Sequence, residues 1–318
     1  MPNELTVAIV QTAPIPLAVA DGIEKAVRDA RAAIAEGARL IAFGETVLGG
    51  YPIWLDSAPG ASLWDHPGTR AMHRLMLENA VTQGDERLAV VQDLCDETGA
   101  CLSIGAHLRD RSSLYNVQFV FGPNRPVLAR RKLVPTHGER LMWMRGDGST
   151  LGVQQADWGR ISTLICWEHW MPLARAAVHN EGPSAHISAW PTVRDNYLIA
   201  SQHLAFEGAC FVLAAGTVQR KDDLLDGLSR VGGNAEAEAL IREIPADALQ
   251  HGGSAIIGPD TGVIGPRGGD GEETLVQTID LDRRSEALTA LDTDGHYSRP
   301  DVFELHIDTR PKTGVIRS

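Results

Sequence analysis

Three reactive side chains, Glu45, Lys132 and Cys166, each follow a short apolar run and precede a turn-rich segment. Glu45 closes ARLIAFGE, Lys132 closes VLARRK and Cys166 closes ISTLIC. In layered α/β folds, loops converge at the carboxyl ends of strands, so an acid, an amine and a thiol placed there can share one site. A thiol of pKa about 8.5 is mostly protonated at neutral pH and needs a base or a cation to become a nucleophile. A carboxylate can take its proton and later return protons to a leaving group. An ammonium beside the attacked carbon stabilises the charge that develops there. The set suits addition to an electrophilic C–N carbon. Residue types alone also allow a Cys that is a small buried hydrophobe, a Lys that is a solvated charge after Arg130 and Arg131, and a Glu that caps a loop. The setting of Cys166 in CWEHWMP, between an apolar strand and a Pro-marked helix start, favours chemistry. Such a passage exposes a side chain and aims backbone N–H groups at an oxyanion.

The elements that must carry these groups are legible as an alternation. LTVAIVQTAP reads as a buried strand stopped by Pro14 and Pro16, and residues 20–37 as a helix on Ile23, Val27, Ala30 and Ile34 with Gly37 at its end. After the Glu45 strand, residues 69–81 and 85–99 are helix-like and 101–108 is a strand. A hairpin over LYNVQFVFGPNRPVLARRKLVP turns at Gly122-Pro123-Asn124. The second half repeats the theme: the Cys166 strand, the helix PLARAAVHN, the strand AHISAWP, the helix NYLIASQHLAFEGA and the strand CFVLAAGT. Residues 219–252 are polar, charged and Gly-rich, and are expected to leave the core. SAIIGPDTGVIG is a hairpin and ETLVQTIDL a last strand, before a polar tail. Apolar strands alternating with helices predict an α/β fold with helix-covered sheets, and the hairpins make those sheets mixed. No linker breaks the composition, so a single domain over 1–318 is expected.

The 318 residues carry 29 Lys+Arg against 41 Asp+Glu, a net charge of −12. That balance argues against broad nucleic-acid binding, which needs a positive surface, and against docking on anionic lipid. No apolar run approaches the about 20 residues needed to span a bilayer, and no secretory signal is readable at the start. Four scattered cysteines make no disulfide framework and fit a reducing cytoplasm. Cys95, Cys101 and Cys210 read as core residues. Neither CxxC nor HExxH occurs, and no metal site is expected from His296 and its acidic neighbours.

GETVLGGYP, RRKLVPTHGER and LICWEHWMPLAR, in that chain order, resemble the nitrilase superfamily of carbon-nitrogen hydrolases. Trp167-Glu168 followed by Met171-Pro172 resembles the nitrilase branch rather than the amidases and carbamoylases. RGDGS at 145–149, AWP at 189–191, FEGACFVLAA at 206–215, GGSAIIGPD at 252–260 and DGHYSRPDVF at 294–303 extend the likeness from about residue 5 to about residue 305. The resemblance implies an αββα sandwich with Glu45 as general base, Lys132 as electrostatic stabiliser and Cys166 as nucleophile, and no cofactor. It also implies that Glu139, in PTHGER, orients the lysine and the incoming group, and that the Trp167 backbone N–H helps bind the developing anion. The implied substrate is a small nitrile, converted to its acid and ammonia through a thioimidate and a thioester. An amidase, a carbamoylase, a cyanide-hydrolysing enzyme and a catalytically silent binding protein are the competing readings.

Tyr51 and Trp54 in GYPIW, Trp190 and Trp143 are expected either to line the acyl pocket or to pack ordinarily. His137 and His169 flank the site in sequence and offer a rival Cys–His arrangement. Many relatives carry a longer C-terminal extension associated with spiral assemblies. The short polar tail here, from about 305, points instead to a homodimer or small homo-oligomer contacting through the helix at 172–180.

Overall fold

A computed structural model describes residues 3–312; residues 313–318 of the expected tail lie outside the described residues. The chain first lays down β1 (Glu4–Gln11), β2 (Leu40–Phe43), the two-residue β3 (Val81–Thr82), β4 (Cys101–Asp110), β5 (Ser113–Phe121) and β6 (Leu128–Arg131). A second sheet follows, with β7 (Gln154–Ala156), β8 (Gly159–Ile165), β9 (Ala185–Ala189) and β10 (Phe211–Ala215). After a two-stranded ribbon of β11 (Val218–Arg220) and β12 (Ala248–His251) come β13 (Ala255–Ile257) and β14 (Val263–Ile264). Finally β15 (Glu273–Asp280) returns to pair antiparallel with β1.

The two large sheets run β15-β1-β2-β4-β5-β6, with β3 paired to β4, and β14-β13-β10-β9-β8-β7. Each has a parallel centre (β1-β2-β4 and β8-β9-β10) and antiparallel edges. Their inner faces meet through Leu5, Val7, Ile9 and Leu40 of one sheet and Ile161, Ile187, Phe211 and Leu213 of the other. Their outer faces are covered by α1 (Val19–Ala35) and α4 (Ala89–Thr98) on the first sheet, and by α5 (Pro172–His179) and α6 (Asp195–Glu207) on the second. This is the αββα sandwich of two mixed sheets. Central strands buried on both faces are apolar throughout, which is why β2 and β10 read as continuous runs.

One expectation is corrected. Residues 219–252 do leave the sheets, but they form α7 (Lys221–Arg230) and α8 (Ala235–Arg242), with α8 packed against α3 (Pro67–Asn79) and α7 against α8. Leu224, Leu228, Leu240 and Ile241 join Met72, Leu75 and Met76 in a separate hydrophobic cluster, with Trp54 of the short α2 (Trp54–Ser57). The apolar residues sit at helical spacing, obscured in the sequence by the acidic residues between them. The short α9 (Asp282–Ala287) was likewise not expected. Among the described residues no helix is long and apolar enough to cross a membrane.

Candidate active site

Glu45 lies just beyond β2, where its backbone N–H donates to the Trp190 carbonyl at 3.1 Å and so ties the end of β2 to the second sheet. The neighbouring backbone presses on β4 at Gly105, where a Cβ would meet the Thr46 nitrogen at 2.2 Å, so only glycine fits there. Glu45 is fully buried. Its Oε1 accepts from Asn116 Nδ2 at 2.5 Å and from Lys132 Nζ at 2.8 Å, whereas Oε2 makes no hydrogen bond among the described residues. Asn116, on β5, also accepts the Lys132 backbone N–H at 2.8 Å, so one residue sets both partners.

Lys132 follows β6 and donates to both oxygens of Glu139, at 2.9 and 2.7 Å. Glu139 sits in the helical turn His137–Leu141. Its Oε2 also accepts from the Thr136 backbone N–H at 2.7 Å, and its Oε1 from the Tyr51 hydroxyl at 2.7 Å. Three donor groups thus place four hydrogen bonds on its two oxygens, which fixes this carboxylate against the lysine.

Cys166 follows β8 with φ +53°, in the left-handed region where a side chain is strained. The turn Cys166–Trp170 and then α5, begun by Pro172, carry the chain away. The Trp167 backbone N–H donates toward the Cys166 sulfur, and His169 Nδ1 lies 2.7 Å from the Cys166 carbonyl. Glu168 points back under the strand, accepting from the N–H groups of Ile165 at 2.8 Å and Leu133 at 2.5 Å, and from Arg130 Nη2 at 2.8 Å. The residues beside Lys132 and Cys166 thus hang on one buried carboxylate.

One carboxylate oxygen each of Glu45 and Glu139 and the Cys166 sulfur lie within 4.8 Å of one another. Such a donor set resembles a metal site, but the cation it surrounds is the Lys132 ammonium. Burial pushes the Glu45 carboxyl up to about 7 against the pull of Lys132. Burial also pushes the Cys166 thiol well above its ordinary range, against the pull of Lys132. For Lys132 burial acts downward, but the anionic forms of Cys166, Glu139 and Glu45 outweigh it and keep the ammonium charged. The site therefore rests with a protonated thiol, a fixed cation and a carboxyl poised near neutrality as base.

Glu45, Lys132, Glu139 and Cys166 are thus brought together, and Tyr51 with them, though as a hydrogen-bond donor to Glu139 rather than as bare pocket lining. Trp143 stands behind the lysine, its ring centroid 5.8 Å from Nζ and its Nε1 donating to His107 Nδ1 at 3.1 Å. Trp190 is fully buried, stacked between His169 and Tyr197 with centroids 4.6 Å away on each side. Trp167 is 44% exposed and meets Tyr197 edge-on. Trp54 is sealed in the α2–α3–α7–α8 cluster, as ordinary packing. His137 is exposed and neighbours Asp56, while His169 bonds the Cys166 carbonyl and not its sulfur, so no Cys–His pair forms. Asn116, Arg130 and Glu168 were not singled out from the sequence. The signal that could have found the last two is opposite charge at matched positions, two before Lys132 and two after Cys166.

A family model described as Carbon-nitrogen hydrolase matches residues 6–287. The chain belongs to the carbon-nitrogen hydrolase family. Nitrilase blr3397 of Bradyrhizobium diazoefficiens is 36% identical over 316 residues, covering 99% of this chain and 95% of that protein. An aliphatic nitrilase of Sinorhizobium fredii is 34% identical, covering 97% of each. The fold is shared with Saccharomyces cerevisiae Nit3, of the nitrilase superfamily, at TM-score 0.65 and 14% identity over 92% of this chain and 96% of that one. It is shared also with a carbon-nitrogen hydrolase of Helicobacter pylori, at TM-score 0.66 and 17% identity over 95% and 99%. In this member of the family Glu45, Lys132, Glu139 and Cys166 converge in one buried cluster.

Proposed function

We propose that this carbon-nitrogen hydrolase is a nitrilase, releasing a carboxylic acid and ammonia from a small nitrile, with Cys166 as nucleophile. The observation that carries the reading is the buried Lys132 ammonium, hydrogen-bonded to Glu45 and Glu139 with the Cys166 sulfur beside them. The relatives named nitrilases, alike over nearly their whole length, support it.

As the sulfur attacks the nitrile carbon, the thiol proton passes to Glu45, whose Oε2 carries no competing bond. The nitrogen takes that proton and a thioimidate forms. Lys132 and the Trp167 backbone N–H stabilise the charge that develops. Glu45 then takes a proton from water, whose oxygen adds to the same carbon. The tetrahedral intermediate expels ammonia, protonated on the way out, and leaves a thioester. A second water, activated in the same way, frees the acid and restores the thiol. Glu139, held by Tyr51 and Thr136, keeps the lysine on target through both halves. Trp167 and Trp190 wall the Cys166 side of the acyl pocket, and Tyr51 and Trp143 the Lys132 side.

The chain acts as one catalytic unit, in a dimer formed across α5, whose Leu173 presents an exposed apolar side chain. Four buried free cysteines suit a reducing cytoplasm.

The test is ammonia release from a panel of nitriles and matching amides, by the wild type and by Cys166→Ala. Nitrile turnover lost in the variant supports the reading. Turnover of amides alone overturns it in favour of an amidase, and nitrile turnover that survives in Cys166→Ala removes the nucleophile.

A further inference from the structure

Behind Cys166 lie two fully buried histidines that the reaction scheme leaves idle. His169 Nδ1 is 2.7 Å from the Cys166 carbonyl, His169 Nε2 is 3.1 Å from His186 Nε2, and His186 Nδ1 is 2.7 Å from Ser162 Oγ. All three residues are closed to solvent. The chemistry of the end group fixes every proton in this row. A carbonyl only accepts, so His169 must carry its proton on Nδ1. Its Nε2 is then an acceptor, and the His186 Nε2 facing it must be the donor. His186 Nδ1 is left as an acceptor, and the Ser162 hydroxyl donates to it. No other arrangement satisfies all three contacts with neutral rings.

The rings are indeed kept neutral. Burial pulls His169 down to about 3 and His186 well below its ordinary range, and the neighbouring charges on Arg175, Arg130 and Lys132 press His169 the same way. The row also returns to its start. Ser162 is on β8, four residues before Cys166, and is in register with His186 on β9. The Cys166 carbonyl belongs to the strained first residue, at φ +53°, of the elbow formed by the turn Cys166–Trp170, and such conformations persist only where their surroundings over-determine them.

We infer that Ser162, His186 and His169 form a one-directional hydrogen-bond relay that fixes the tautomer of His169 and through it positions Cys166. They are positioning residues, because none touches the reacting atoms. The inference rests on Cys166 being the nucleophile, but two of its readouts need no substrate.

The experiment compares wild type with His186→Gln, His186→Met and Ser162→Ala. Gln places an amide donor where Nε2–H stood, whereas Met removes it at similar bulk. Ser162→Ala deletes one oxygen and frees His186 to change tautomer. Each protein is assayed for kcat and KM on a nitrile that the wild type hydrolyses, for the rate of Cys166 alkylation by iodoacetamide, and for histidine tautomers by long-range 15N–1H correlation. The wild type is expected to show His169 protonated on Nδ1. His186→Met is expected to lose about tenfold in both kcat and alkylation rate, with KM within about twofold. Ser162→Ala loses about threefold, with a mixed His169 tautomer, and His186→Gln stays within about twofold of wild type. A wild-type His169 protonated on Nε2, a Gln variant as impaired as the Met variant, or a folded Met variant with undiminished alkylation overturns the relay. If His186→Met does not fold, Ser162→Ala and the wild-type tautomer decide. A protein that hydrolyses no nitrile defeats the proposed function, while alkylation and tautomers still judge the relay.

Discussion

Arg130 and Glu168 form an ion pair of 2.8 Å with both side chains sealed from solvent, joining the end of β6 in one sheet to the turn after β8 in the other. The same Glu168 carboxylate takes the backbone N–H groups of Leu133 and Ile165, next to Lys132 and Cys166. The distance between cation and nucleophile is therefore set by a structural carboxylate that belongs to neither. Removing one partner of a buried pair leaves the other charge uncompensated, which costs about 3–5 kcal/mol. Glu168→Gln is expected to lower stability by that amount in urea unfolding, and to lower kcat in the fraction that stays folded. Unchanged stability would mean that the pair does not hold the two strand ends together.

The pH dependence of activity follows from Glu45. The base must be ionised to accept the thiol proton, and burial raises its pKa to about 7. The value of kcat/KM should thus rise with pH through an acid limb near 7, falling about tenfold for each pH unit below it. The limb belongs to the coupled Glu45, Lys132 and Cys166 set rather than to one group. For stability the sign is opposite. A carboxyl raised from 4.5 to about 7 on folding contributes most below 4.5, and that contribution is lost as pH climbs through 7. A pH–rate profile whose acid limb lies near 4.5 would contradict the burial argument. Glu45→Gln should remove about 10²–10⁴-fold of kcat above pH 7, with the gap to wild type narrowing below the acid limb.

The strand ends carrying Glu45 and Cys166 were legible because a strand buried on both faces is largely apolar, so the first reactive residue after it stands out. Lys132 instead follows the edge strand β6, LARR, which only the hairpin turn before it marked. The hairpin at Gly122–Asn124 was legible from its turn residues, and the mixed character of the sheets from the hairpins among helix-separated strands. The antiparallel return of β15 to β1 was not legible, since nothing local in ETLVQTIDL names a partner so distant in the chain. Arg130 shows a second limit. Beside Arg131 it reads as part of a solvated run, yet alternation on a strand sends Arg130 inward to Glu168 while Arg131 bonds Asp110 nearer the surface. Trp54 and Trp190 are both buried aromatics near site residues in sequence, and only their tertiary neighbours, the α2–α3–α7–α8 cluster for one and the His169 and Tyr197 rings for the other, tell them apart.

Tyr51 donates to Glu139 at 2.7 Å, and a hydrogen bond to a charged group contributes about 1.5–3 kcal/mol. Tyr51→Phe keeps the ring and its edge-on contact with Trp143, but leaves Glu139 Oε1 held by Lys132 alone. The lysine is then less firmly aimed, and kcat is expected to fall about tenfold or more with KM within about twofold. Steady-state kinetics on one nitrile check this. A rise in KM with kcat intact would make Tyr51 a pocket residue only.

Glu207, at the end of α6, braces the helix that leads away from Cys166. It accepts from Arg175 Nε at 2.6 Å and pairs with His179 Nε2 at 3.0 Å, both on α5. Arg175 in turn donates to the His169 carbonyl at 3.0 Å, which links the brace to the elbow. Burial pushes the Glu207 carboxyl up, but hydrogen bonds from His179 and Arg175 overcome it and hold the pKa at about 2. A folded-state pKa below the ordinary 4.5 contributes stability that is present above 4.5 and is lost as pH falls toward 2. The group is half-buried, and solvent screening reduces that contribution to about 1–2 kcal/mol. Urea midpoints at pH 7, 4.5 and 3 should show wild type above Glu207→Gln by that margin at neutral pH, with the gap narrowing as pH drops. A gap that stays constant over this range would assign the loss to packing, and would leave α5 braced by something other than charge.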